Sequence, residues 1–123
     1  MFVLVAEDEE AIAETLAMIV EDSGYVALIA HDGRTALALA RQHHPRLIIT
    51  DLMMPFLSGA ELVAAIRADA ATEEIVAPPV VVVTAASLAL ADEVGADSVI
   101  AKPFDVRNIE AAIQRLLDND DHR

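Results

Sequence analysis

Apolar residues along this chain come in two spacings that alternate. Residues 2–6, FVLVA, form a short apolar run that stops at a block of acids, EDEE. A run of this length, bounded this way, predicts a strand buried on both faces. Ile12, Leu16, Ile19 and Val20 then recur at helical spacing until Gly24, a residue suited to closing a helix. The same two patterns repeat. YVALIA (25–30) predicts a second strand, and GRTALALARQH (33–43) a helix halted before Pro45, because a residue preceding proline disfavours the α conformation. LIIT (47–50) predicts a third strand, leading into Asp51. GAELVAAIRAD (59–69) predicts a helix with Leu62, Val63 and Ile66 on one face, and ATEEIVAPP (71–79) a loop. VVVV (80–83) predicts a fourth strand ending at Thr84, and SLALADEV (87–94) a short helix closed by Gly95. SVIA (98–101) predicts a fifth strand, a core strand, ending at Lys102. Asp105 is placed to N-cap a last helix over 106–117, with Ile109, Ile113 and Leu116 at i, i+4 and i+7. DNDDHR (118–123) is expected to be a frayed acidic tail.

Strand and helix runs alternating five times predict an α/β fold, a doubly wound five-stranded parallel sheet with helices on both faces. The common, flavodoxin-like strand order for such a sheet is 2-1-3-4-5. No linker, internal repeat or low-complexity stretch interrupts the pattern, so one domain over residues 1–123 is expected.

Composition narrows the picture. Hydrophobic residues make up 55% of the 123 and aromatics only 3%, which implies an aliphatic core. The formal net charge of −13 argues against direct binding to nucleic acid or to an anionic membrane. Cysteine is absent, so neither disulfides nor thiolate metal sites arise. The amino terminus lacks the basic start of a signal peptide, and no apolar run approaches the ~20 residues of a spanning helix. A soluble, cytoplasmic protein is expected.

Ligands of open α/β sheets bind outside the carboxyl ends of the strands, so the residues that follow each strand carry the candidate chemistry. These are Glu7 and Asp8 after the first, Asp51 after the third, Thr84 after the fourth and Lys102 after the fifth. Lys102 is the chain's one lysine among eight basic residues. Three gathered carboxylates repel one another by about 4 kcal/mol per pair at 4 Å and an effective dielectric of 20. A hard cation that keeps some of its waters, Mg²⁺, offsets that with oxygen ligands. Lys102 adds a fixed positive charge suited to a phosphoryl oxygen, and Thr84 a hydroxyl. Together these are the parts needed to transfer a phosphoryl group to a carboxylate.

LVAEDE, IITDLMMPFLSG, VVVTA and IAKPF, in this order and with AHDGRTAL at the entry to the second helix, resemble the receiver domain of two-component response regulators. The resemblance covers essentially the whole chain. It implies that Asp51 is the phosphoacceptor. Asp8 would be the direct Mg²⁺ ligand, Glu7 would hold the ion through water, and the Met53 carbonyl would complete the site. It implies that Thr84 is the switch hydroxyl, that Ala85 is the small residue beside the phosphoryl group, and that Lys102 pairs first with the aspartate and then with its phosphate. Met54, Pro55 and Gly59 fit the loop after the phosphorylated strand, and Lys102–Pro103 fits a peptide bond that is typically cis. The expected partners are a sensor histidine kinase or histidine phosphotransfer protein, docking on Ala11, Thr15 and Met18 of the first helix, and a downstream protein. Part of the last helix's apolar stripe could serve a phosphorylation-dependent homodimer. The implied function is that of a stand-alone phosphoacceptor, not an enzyme beyond catalysing its own phosphorylation and dephosphorylation; an excised domain of a larger regulator would read the same.

Three departures from the family pattern stand out. Position 99, commonly aromatic, is Val99, which alters the coupling of Thr84 to the output surface. EIVAPP is longer than usual, with VAP as the insertion, and the segment between Thr84 and Lys102 is about one helical turn shorter. Bland readings compete at each residue: acids 7–10 as helix-dipole partners, a role that suits Glu9 and Glu10, Asp51 as a turn residue, and Thr84 with a local hydrogen bond only. His31, His43, His44 and His122 lack ligand spacing and are read as surface or loop residues. A Mg²⁺-dependent aspartate-nucleophile phosphatase needs an acid two residues after its nucleophile, where Met53 stands. A flavin-binding module would find phosphate repelled by EDEE. A degenerate receiver, acting as an interaction module without phosphorylation, is disfavoured by the intact acids and lysine.

Overall fold

The computed structural model describes residues 1–118. Its strands are β1 (Phe2–Ala6), β2 (Val26–Ala30), β3 (Leu47–Thr50), β4 (Val80–Thr84) and β5 (Ser98–Ala101). They alternate with helices α1 (Glu10–Asp22), α2 (Gly33–His43), α3 (Gly59–Glu73), α4 (Leu88–Val94) and α5 (Val106–Ile113), the last running on into a π-helical turn, Gln114–Asp118. All strand pairs are parallel, in the order β2-β1-β3-β4-β5. The expected strand order and element sequence are therefore found. Residues 119–123, most of the expected acidic tail and His122 with it, lie outside the described residues.

Pleating divides the strand residues between two cores. Val3, Val5, Leu47, Ile49, Val81 and Val83 pack against α1 and α5, whereas Leu4, Ala6, Ile48, Val80 and Val82 pack against α2, α3 and α4. β1, β3 and β4 are almost wholly buried because they are central. β2 and β5 are edges, and Ile100 is the one fully buried residue of β5. The expectation of a core strand at 98–101 is corrected on that ground: the segment has a neighbour on one side only.

One boundary also moves. α3 runs to Glu73, because 70–73 contains no helix breaker. It ends where Glu74 takes φ 57°, so the loop begins at 74 rather than 71. In α5 the wider π turn adds Leu117 to the core beside Ile109 and Ile113, and Leu116 packs against the same core partly buried, as its spacing predicts. His43 ends α2 as expected, half-buried, its ring 5.0 Å from that of Phe2. Asp32, Ser58, Ser87 and Asp105 cap α2 to α5 with their side chains, and Ser58 forms a full capping box with Glu61.

Candidate functional site

The carboxyl edge of the sheet is extended by one residue past the strands. Glu7 N–H donates to Ala30 O (2.9 Å), Asp51 N–H to Ala6 O (3.0 Å) and Lys102 N–H to Thr84 O (3.0 Å). Each functional side chain thus leaves a backbone that its neighbouring strand holds in place. The Cβ of an alanine at Gly59 would lie 2.0 Å from the Asp51 carbonyl oxygen, so α3 begins hard against the backbone of Asp51. Only glycine admits that approach.

Lys102 Nζ sits between two carboxylates. It donates to Asp51 Oδ2 at 2.8 Å and to Glu7 Oε1. The side chains of Glu7, Asp51 and Lys102 are 1%, 9% and 11% exposed, so these ion pairs are poorly screened. The remaining oxygens are also engaged. Asp51 Oδ1 accepts from Leu52 N–H (2.6 Å) and Met53 N–H (3.4 Å), and Glu7 Oε2 accepts from Glu9 N–H (3.1 Å). Asp8 is exposed and completes the group: Glu7, Asp8 and Asp51 each present a carboxylate oxygen within 4.8 Å of the others.

Burial pushes the Glu7 carboxyl above its ordinary range, more than the hydrogen bonds from Lys102 and Glu9 pull it down. For Lys102, burial works against the ammonium, but the hydrogen bonds to Asp51 and Glu7 together outweigh it and hold its pKa above the ordinary lysine value. The ammonium therefore stays charged.

Thr84 is buried, and its Oγ1 accepts from Ala86 N–H at 3.1 Å. This is the local hydrogen bond of the bland reading, and it leaves the hydroxyl proton free to be donated elsewhere. Ala85 is exposed beside it. Ala11, Thr15 and Met18 are exposed along one face of α1. The Lys102–Pro103 peptide is cis, as the resemblance implied. Val99 is half-buried against the α2–α4 core and pairs in register with Val82.

Some contributions were not legible in the sequence. Glu7 is a direct partner of Lys102 and the acceptor at the start of α1, roles that its place in an acidic block does not distinguish. His31, exposed, donates from Nδ1 to the Glu7 carbonyl at 3.0 Å, so it ties β2 to the backbone that carries the acids instead of being an idle loop residue. Phe56 is the third. It has φ 69° at the centre of a three-residue turn closed by Leu57 N–H on Pro55 O at 2.8 Å. A γ-turn of positive φ is the rare, strained hand, and such strain costs about 1–3 kcal/mol. The long loop 74–79, by contrast, is remote from the acids. It closes one side of a cavity of about 290 Å³ at the amino edge of the sheet, between the ends of α2 and α3.

A parallel 2-1-3-4-5 sheet with a lysine-bridged acidic cluster at its carboxyl edge defines a class of α/β signalling domain. The chain belongs to the response regulator receiver domain family, which residues 3–114 match. It is 34% identical to the sensory transduction protein RegX3 of Mycolicibacterium smegmatis, over 97% of this chain and 53% of that protein. It is 33% identical to the DNA-binding response regulator MtrA of Mycobacterium tuberculosis, over 97% and 52%. The chain spans about half the length of these relatives. Among solved structures, the N-terminal domain of an uncharacterized protein (WS1339) from Wolinella succinogenes superposes with a TM-score of 0.88 at 26% identity, covering 99% of this chain and 98% of that one. The chemotaxis response regulator CheY4 of Vibrio cholerae superposes with a TM-score of 0.82 at 32% identity, covering 94% and 98%. Receiver domains of this family are signalling modules of two-component systems rather than enzymes of metabolism.

Proposed function

We propose that the chain accepts a phosphoryl group on Asp51 from the phosphohistidine of a sensor kinase or phosphotransfer protein, and that this switches a protein-binding surface. The observation that carries the reading is Lys102 Nζ held 2.8 Å from Asp51 Oδ2, with Glu7 and Asp8 beside it. An Asp51 carboxylate oxygen attacks phosphorus. The new O–P bond forms as the N–P bond to the donor imidazole breaks, and the electron pair leaves on the imidazole nitrogen, which takes a proton from water. Lys102 is already placed to follow the charge from carboxylate to phosphoryl oxygen. Thr84 can donate its free hydroxyl proton to the phosphoryl group, and Ala85 leaves room beside it.

The donor set suits Mg²⁺, being hard oxygens only. Asp8 and Asp51 would bind it directly, Glu7 through water, and the Met53 carbonyl would complete the set. Bound there, the ion would neutralise charge developing on the phosphoryl oxygens. The chain catalyses only its own phosphorylation and dephosphorylation, in the cytoplasm. It docks its donor on the Ala11, Thr15 and Met18 face of α1 and signals to a downstream protein, or to a second copy through the last helix, as a shift between two surface states.

The test is incubation with Mg²⁺ and acetyl phosphate. An acyl phosphate, labile in acid and in hydroxylamine, is expected. A product stable to hydroxylamine, or labelling of an Asp51→Asn variant, sinks the reading.

A further inference from the structure

Phe56 combines three properties that rarely coincide. It is a bulky aromatic at φ 69°, a region disfavoured for any side chain with a Cβ. It is 74% exposed, so little of its ring is buried to compensate the strain. The strain is nevertheless locked in: the Pro55 carbonyl accepts from both Leu57 N–H (2.8 Å) and Gly33 N–H (3.3 Å), which fastens the turn to the start of α2. The Arg34 guanidinium lies 4.9 Å from the ring centroid and steadies the ring from that same helix. Strain maintained at an exposed position points to a role outside the fold.

The loop's position indicates which role. Asp51 and Phe56 belong to one continuous loop, and Met53, between them, is itself 66% exposed while its N–H donates to Asp51 Oδ1. A protein that brings a phosphohistidine into bonding distance of Asp51 must cover this loop. A small phosphodonor need not. Exposed, pre-ordered aromatic and methionine side chains are the types enriched at interface centres, where a few anchors carry most of the affinity.

We infer that Phe56, with the exposed Met53 of the same loop, is a docking anchor for the histidine-bearing donor protein, which meets it with an aliphatic patch next to its phosphohistidine. This rests on Asp51 being the acceptor. Phe56 touches the donor protein rather than the reacting atoms, so it sets partner affinity and not the chemistry.

The test compares wild type with Phe56→Gly, Phe56→Asn and Phe56→Tyr in two reactions. One uses acetyl phosphate. The other uses purified, autophosphorylated kinase cores from the host organism, taking the core that transfers fastest to the wild type. Gly and Asn accept positive φ, so melting temperatures should stay within a few degrees of wild type. Transfer from the kinase should fall about tenfold or more in kcat/KM, mainly through KM, while the acetyl phosphate rate stays within about twofold. Phe56→Tyr, which keeps the ring, should restore kinase transfer. Unchanged kinase transfer in the Gly and Asn variants overturns the inference, as does equal loss in both reactions together with a collapse in melting temperature. Wild type labelled by acetyl phosphate but by no kinase core also overturns it and leaves the Asp51 reading standing. No labelling of the wild type by either route overturns that reading itself.

Discussion

Replacing Lys102 with Met keeps an apolar stem of similar length and removes the ammonium that Glu7 and Asp51 share. At 2.8 Å and an effective dielectric of 20, the Lys102–Asp51 contact has a gross attraction of about 6 kcal/mol. Desolvation of the ammonium takes back much of this, so the gross figure overstates the loss. A tighter bound comes from Glu7. At 1% exposure, without a counter-charge, it takes up a proton rather than remain ionised. The variant should therefore lose about 3–5 kcal/mol at pH 7.5, the cost of leaving a buried charge without its partner, and less at pH 5.5. The sign follows from Glu7's raised folded-state pKa. Wild type already carries part of that penalty, so the difference made by losing Lys102 is absent below 4.5, grows as pH rises through the wild-type folded value and then levels off. Lys102 itself stays protonated throughout this window, because its folded pKa lies above 10.5. Urea denaturation at the two pH values, each against wild type, measures the difference; with a slope of about 1–3 kcal/mol/M it is a midpoint shift of molar size at pH 7.5. The same shift at both pH values, or a loss below about 1 kcal/mol at pH 7.5, would refute the view that Glu7 needs Lys102 to be buried as an anion.

Three further outcomes follow from the packing and the caps. Gly59→Ala forces a Cβ to within 2.0 Å of the Asp51 carbonyl, so it should lose about 1–3 kcal/mol and slow acetyl phosphate labelling, because the atoms that must move carry the acceptor. Asp32→Ala removes the acceptor for Thr35 N–H and should lose about 1 kcal/mol at neutral pH. Since the Asp32 pKa is lowered, chiefly by that backbone hydrogen bond, the difference from wild type should be complete above pH 3.8 and vanish as pH falls through the folded value, as read by thermal melts across the acid range. Arg41→Ala breaks the Arg41–Asp69 pair, whose arginine side chain is 58% exposed, and should leave the melting temperature essentially unchanged.

Hydrophobic spacing made the sheet and its five crossovers legible, because a strand buried on both faces can hardly be written any other way than FVLVA or VVVV. The carboxyl-edge residues were legible for a related reason: topology alone collects whatever follows each strand. Spacing does not encode how far a helix runs before a left-handed residue stops it, which is why α3 was read short at 69. Nor does it reveal a π turn, so it does not announce that Leu117 joins Leu116 against the core. At the site, the identities of Asp51, Asp8 and Lys102 were accessible from residue type. The engagement of Glu7 by Lys102 and the hydrogen bond from His31 to the Glu7 backbone depend on side-chain placement across strands far apart in sequence. The positive φ of Phe56 goes against its residue type, so no local propensity could announce it.

The burial of Lys102 has a chemical consequence. The chain has one ε-amino group, and that group is 11% exposed between two carboxylates. Acylating reagents and lysine acetylases therefore find, besides the amino terminus, a single amine whose reaction requires the site to open. The extent of lysine acylation becomes a one-residue reporter of how often the ion pairs part, and an acetyl group installed there would remove the positive charge that Glu7 and Asp51 share.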